Sequence, residues 1–320
     1  LGGGDTTYQW GSFTVRGRQA ARGLRKRGMD ARAWNSPCEA WCRHEQFART
    51  PWNPASIVHV KYVCRCAVLG WPRAAHIYDP VDTFGFVANL TAIDAVLVQT
   101  TLCKQDLEEH PQLRSLLPSK TVSLHWLPLH HSNFHGLVID PSERVLRVGV
   151  HTLHADSELE GLVTEVLAKY VEEVSMSDEA RPQFFRLDPM KLFQYNEGKV
   201  TTPQHTDALY QQLTTLQIGF AKQSGCRSEW WHCSRWKTGQ RLVNMLSVGM
   251  PTIVWDDAQG HRDVIQGLWP AEEDVSSQTQ VTATRRPTNV YPKELIVTSD
   301  ADASVALKAL LQNASLRREA

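Results

Sequence analysis

The sequence predicts an α/β protein built from two doubly wound units, and three observations carry that prediction. Short apolar or β-branched runs alternate with longer amphipathic stretches, the pattern of parallel strands joined by crossover helices. The alternation restarts after "GLVIDPSE", which divides the 320 residues into an N-terminal unit, 1–138, and a C-terminal unit, 139–320. Each lies near the usual domain size of about 150 residues. With 42% hydrophobic and 21% charged residues, the chain has enough apolar material for two cores.

In the first unit, "GSFTVRGRQAARGLRKRG" reads as a glycine turn and a helix ending near Gly28. "ASIVHVKYV" is a buried strand, "RAAHIYDPVD" a strand running into an acidic loop, and "DAVLVQTT" another strand. "LCKQDLEEH" is a short helix and "TVSLHWLPLHH" a further strand. A linker is expected near 136–143. The second unit opens with the strand "RVLRVGVHT". The helix "SELEGLVTEVLAKYVEEV" follows, with Leu159, Leu162, Val163, Val166, Leu167 and Tyr170 on one face. Then come the strand "PQFFRLD", the helix "TDALYQQLTTL" and the strand "QIGFAK". A further helix leads to the strand "PTIVW", the stretch 270–292 is a loop, "KELIVTS" is a strand, and "DASVALKALLQNASL" is a terminal helix.

Charge narrows the partners. Lys and Arg total 34, as do Asp and Glu, so no overall field recruits nucleic acid or a membrane. The local run "RGRQAARGLRKRGMDARAW" reads as a solvated helix face beside an anionic small-molecule site, in preference to a DNA-binding helix. No apolar run of about 18 residues is present to span a bilayer. The seven cysteines lack a clean pair of C-x-x-C knuckles for zinc and read as buried thiols of a reducing compartment. Cytoplasmic residence is therefore expected. The sequons at Asn89 and Asn313, and a start at Leu1 that leaves room for a removed leader or anchor, keep a secretory lumen open.

The most informative stretch is "KTGQRLVNMLSVGMPTIVW", 237–255. Lys237 and Arg241 stand at the start of a buried-looking helix, where the dipole already concentrates positive charge. Cations there are mildly unfavourable unless an anion sits among them. At i and i+4 they share a face, Thr238 can cap or donate, Gly239 permits a close backbone approach, and Gly249-Met250-Pro251 stops the helix. A diphosphate suits such a helix end. The plain alternative is a basic turn entering an ordinary core helix.

This segment resembles the donor site of GT-B glycosyltransferases, in which a Lys-Ser/Thr-x-x-Arg-Leu start precedes a helix, a Gly-x-Pro stop and a strand. Weaker likenesses lie in "GRQAARGLRKRGMDARAW", "AIDAVLVQT", "SLHWLPLHHSN" and "RVLRVGVHT". The resemblance implies two Rossmann-like domains facing a central cleft, a nucleotide-diphosphate sugar as donor, and a carbohydrate, lipid-linked or protein acceptor. It implies no cofactor and no metal. Retaining members carry an Arg-x5-Lys pair after the second domain's first strand and a Glu-x7-Glu pair before the donor helix. Here "VGVHTLHADSE" offers His151 and His154, and "SGCRSEWWHCSRWK" only Glu229, so an inverting mechanism is expected, the alternative being a remote branch with reassigned residues.

An inverting transferase needs a base for the acceptor hydroxyl. Asp79, Asp82 and His131 are the catalytic candidates, Asp79 and Asp82 reading equally well as loop or helix caps and the His130-His131 pair as partly structural. On the donor side stand Lys237, Thr238, Gly239 and Arg241, with Arg16 and Arg18 approaching phosphate from the first domain. Trp236 is a candidate for stacking on a base or sugar, or else core. Asp257 and His151 lie at strand ends where sugar or ribose hydroxyls are contacted. The expected activity is sugar transfer. The alternatives are a non-catalytic GT-B-like binding or assembly module, or a sugar-nucleotide epimerase or hydrolase on the same fold.

Overall fold

The computed structural model describes residues 16–17, 20–33, 53–60, 63–79, 93–109, 111, 122–127, 136–141, 144–151, 156–187, 204–223, 236, 238–266 and 291–320. The chain forms two compact units, Leu1–Leu129 with Glu229–Lys237, and His130–Ser228 with Thr238–Ala320. Each contains a parallel sheet with helices in the crossovers, so the α/β, Rossmann-like architecture stands.

The first unit's described strands are β1 (Ser56–Val60), β2 (Ala75–Asp79), β3 (Ala95–Val98) and β4 (Ser123–Trp126), side by side in chain order and all parallel. Helices α1 (Ala20–Lys26), α2 (Arg65–Gly70) and α3 (Thr101–Glu109) accompany them. Tyr78, Val96, Val98, Cys103 and Leu107 are buried together, and Trp236 joins them from far along the chain. Beneath β1 and β2 lies a polar chain within the core. The Cys64 amide donates to His59 Nδ1 at 3.3 Å, the His59 and His76 rings stack with Nε2 and Nδ1 2.9 Å apart, and His76 Nε2 lies 3.1 Å from the Trp71 carbonyl. Because an amide N–H only donates and a carbonyl only accepts, both rings are satisfied in neutral form. Burial, and then the second ring, pull the His59 pKa down to about 4.

The second unit's sheet contains β5 (Arg147–His151), β6 (Gln183–Leu187), β7 (Ile218–Ala221), β8 (Thr252–Trp255) and β9 (Ile296–Val297), in the order β6-β5-β7-β8-β9 and parallel throughout. Every residue of "IGFA" and "TIVW" is buried, as expected of central parallel strands covered on both faces. The crossovers carry α4 (Ser157–Val174), α5 (Gln204–Leu213), α6 (Gln240–Leu246) and α7 (Gln259–Ile265), and the chain closes with α8 (Asp300–Gln312) and α9 (Ala314–Glu319). Asp156 caps α4 by accepting from the Leu159 amide at 3.0 Å. Ser299 and Asp302 form a reciprocal capping box at the start of α8. That helix buries Ala303, Ala306, Leu307, Leu310 and Leu311, each leucine stabilising the fold by roughly 1.5–3 kcal/mol.

Several expectations change. The "linker" belongs to the second unit: Leu137 and Ile139 pack on its core, and the Ile139 amide donates to the Val248 carbonyl at 2.9 Å. "KELIVTS" yields a 3-10 turn, Lys293–Leu295, and a strand of only two residues. The terminal helix breaks at Asn313, which caps α9. The loop expected at 270–292 lies almost wholly outside the described residues. Cys64 and Cys66 are each disulfide-bonded, which corrects the reading of these two as thiols. Cys103 is free and buried, its pKa raised by burial and then by Asp106. Among the described residues no helix is long and apolar enough to cross a membrane, and no group of three or more His, Cys, Asp or Glu is placed to hold a metal.

Candidate functional site

In an open parallel sheet, ligands bind outside the carboxyl ends of the strands, at the point where successive connections leave in opposite directions. In the second unit that point lies between β5 and β7, because the chain runs from β5 out to β6 and then returns to the other side. His151 is the last residue of β5 and is buried. Beyond β7 and β8 the polar groups are tied to one another. Asp257 Oδ2 accepts from the Gln223 amide at 2.8 Å, and its Oδ1 lies 3.3 Å from His261 Nδ1, which also reaches the Trp255 carbonyl at 3.1 Å. Asp256 accepts from Arg262 Nε at 2.6 Å. Lys222 pairs with Asp300 at 3.2 Å and lies over the Trp255 ring.

Arg241 is different. It sits in the first turn of α6, half-buried, and makes no hydrogen bond or ion pair with any described residue. Burial alone pulls its pKa below the ordinary arginine value, and no carboxylate opposes the shift. The guanidinium remains cationic at any physiological pH. A partly desolvated charge without a partner is unfavourable, and an anion placed beside it removes that penalty.

The local geometry revises how its neighbours act. Helix α6 begins at Gln240, with Gly239 at the N-cap and no side-chain cap, so Thr238 does not cap and Lys237 precedes the helix. The expectation that Lys237 shares a face with Arg241 falls on a residue outside the described ones. Gly239 is required for a reason internal to the fold. A Cβ there would stand 2.5 Å from the Gly260 carbonyl oxygen and 3.1 Å from Val264 Cγ2, so this glycine lets α6 and α7 meet backbone to backbone. At the other end, Gly249 has φ +67°. The Gly249 and Met250 amides return to the Leu246 and Met245 carbonyls, the hydrogen-bond pair of a Schellman stop.

In the first unit, Asp79 ends β2 and is fully buried. Its Oδ2 lies 3.3 Å from Arg16 Nε, and its Oδ1 accepts from Gln99 Nε2 at 3.1 Å. Arg16 in turn donates through Nη2 to the Leu127 carbonyl at 2.8 Å. Burial lowers the Arg16 pKa while Asp79 pushes it back up. The sequence assigned Asp79 to an acceptor and Arg16 to a phosphate; the fold joins them to each other across the ends of β2, β3 and β4. Trp236, expected to stack on a ligand, lies in the first unit's core and donates its indole N–H to the buried Asp106 at 2.8 Å. Asp82, His131, Arg18 and Lys237 lie outside the described residues.

Sequence reasoning missed Gln99, Asp106 and Gly260. Gln99 and Asp106 act through partners 20 and 130 residues away, so no local spacing announces them. Gly260 lies in the first turn of α7, within "DAQGHRD", where its small size was the available signal.

No family profile matches the chain, and no curated protein is similar to it at a significant level. Fifteen chains of solved structures match it, two of which illustrate the likeness in fold. One is an α,α-trehalose-phosphate synthase (UDP-forming) from Burkholderia vietnamiensis, at 12% identity and a TM-score of 0.48, covering 96% of this chain and 78% of that one. The other is a GtfA/B complex, at 11% identity and a TM-score of 0.42, covering 90% of this chain and 58% of that one.

Proposed function

We propose that the chain is a glycosyltransferase that holds a nucleotide-diphosphate sugar at the carboxyl edge of the second unit's sheet and passes the sugar, with inversion, to an acceptor hydroxyl. The observation that carries the proposal is Arg241, a half-buried guanidinium without a described partner on the helix that follows β7. A guanidinium presents a planar fork that matches phosphate oxygens two at a time. As the bond from the sugar to the diphosphate breaks, negative charge grows on the leaving group. A cation already fixed in place stabilises that charge without reorganising. Lys237 is the second cation in this proposal, and Thr238 and Gly239 present backbone to the diphosphate. His151 and Asp257 face sugar or ribose hydroxyls. Because cations serve the leaving group, turnover needs no metal. Asp79 is committed to Arg16 and Gln99, so the acceptor proton is assigned to Asp82 or His131.

The test is calorimetry with a panel of nucleoside diphosphates and their sugars, followed by product analysis with simple sugar acceptors in chelator. Saturable binding of one nucleoside diphosphate, lost in Arg241→Ala, and product formed in EDTA are the expected results. Binding confined to residues 1–129, or activity that vanishes in EDTA and returns with manganese, overturns the assignment. The burial of Asp79 favours a second reading, a binding module that retains the nucleotide site. That reading gains if the nucleotide binds at Arg241 and no sugar is ever transferred or hydrolysed.

A further inference from the structure

We propose that Asn313 is an N-glycosylation site, occupied in an oxidising secretory lumen. The sequence supplies the acceptor tripeptide, Asn313-Ala314-Ser315, and the fold presents it in a usable way. Asn313 is exposed at the corner between α8 and α9. Its Oδ1 accepts from the Ser315 amide at 2.9 Å and from the Leu316 amide at 3.1 Å, so the carbonyl half of the carboxamide caps α9. The Nδ2 half makes no hydrogen bond to any described residue. The corner is held from within by Arg317, whose Nη1 donates to the Leu310 carbonyl at 2.6 Å and whose Nε donates to the Pro141 carbonyl at 2.9 Å. A glycan would therefore leave from an exposed point on a fixed support.

The division of labour within the side chain is what makes modification compatible with the fold. In N-glycosylation, C1 of an oligosaccharide carried on a lipid diphosphate bonds to Nδ2. The bond from C1 to the diphosphate oxygen breaks, Nδ2 gives up a proton, and the lipid diphosphate departs with the electron pair. Oδ1 is untouched and keeps its two amide donors. The compartment has independent support, because Cys64 and Cys66 are disulfide-bonded and such bonds persist where the environment is oxidising. The proposal therefore takes the secretory alternative that the sequons kept open, in place of the cytoplasmic expectation that rested on reduced cysteines.

The full chain, secreted from eukaryotic cells, is digested with trypsin and the peptide Ala309–Arg317 is weighed. Wild type and Ser315→Thr are expected to carry a glycan on this peptide, and peptide N-glycosidase is expected to remove it and leave Asp at 313. Ser315→Ala and Asn313→Asp, both of which keep an oxygen at the cap, are expected to lose the glycan and to melt within about a degree or two of enzymatically deglycosylated wild type. An unmodified peptide in secreted wild-type protein overturns the proposal. So does a glycan that survives Ser315→Ala, or one found on Asn89 alone.

Discussion

Two arginines, one buried and one half-buried, stand at the carboxyl edges of the two sheets, and their circumstances are opposite. Arg16 is enclosed with Asp79 and the Leu127 carbonyl; Arg241 is half-buried with no described partner. Burial lowers both pKa values, but only Arg16 has a carboxylate that opposes the shift. A charge completed by the fold anchors the fold, and breaking it costs stability. A charge the fold leaves incomplete costs a little stability and is available to a ligand. The first should respond to mutation in folding and the second in binding.

The largest effect expected from this contrast is on Asp79. Asp79→Asn leaves Arg16 buried without its counterion and should destabilise the first unit by about 3–5 kcal/mol, read from denaturant unfolding followed by tryptophan fluorescence. The double change Arg16→Met with Asp79→Leu should recover at least half of that loss. If it recovers none, the pair is not the anchor and the contrast breaks.

The neutral pair His59–His76 tests the same principle without a fixed charge. The folded pKa of His59, about 4, lies below the unfolded value near 6.5, so the unfolded chain binds more protons in between. Stability should be complete above about pH 6.5 and decline by up to about 3 kcal/mol as pH falls through 4. His59→Gln should flatten that profile; an unchanged slope in the variant would assign the acid sensitivity elsewhere.

Arg241→Ala should weaken nucleoside diphosphate binding by about 1.5–3 kcal/mol, roughly 10- to 150-fold, while the apo protein melts within about two degrees of wild type. A large fall in melting temperature with normal binding by the folded fraction would make Arg241 another Arg16. Smallest of all, Arg241→Lys keeps the charge and loses the fork. It should cost about 1 kcal/mol of affinity and leave stability unmoved, a difference that calorimetry resolves.

The sequence displayed Arg241 well and Arg16 badly, and the reason is distance along the chain. Arg241 was legible because a cation at a helix start, followed by an apolar run and a Gly-Met-Pro stop, is anomalous within a few residues. Nothing near Arg16 announces Asp79, 63 positions later, and nothing near Trp236 announces Asp106. The same holds for elements. The apolar stripe of α4 runs for five turns, and its bounds match "SELEGLVTEVLAKYVEEV" residue for residue. Helices α2 and α7 were missed because each has fewer than two turns and no side-chain cap, too short for a period to appear. The two-residue β9 was overestimated because "ELIV" has strand propensity beyond what the sheet edge accepts.

The histidine chain beneath β1 and β2 also has a direction. It starts at a group that only gives a hydrogen, the Cys64 amide, and ends at one that only takes, the Trp71 carbonyl. His59 must therefore carry its proton on Nε2, and so must His76. Of the four tautomer combinations open to two neutral rings in the unfolded chain, the fold admits one. Folding thus writes a single proton arrangement into the molecule, and nitrogen chemical shifts of the two rings would read it directly. Moving either proton to the other nitrogen would face donor against donor at one end and acceptor against acceptor at the other, so this part of the core has no second state to switch into.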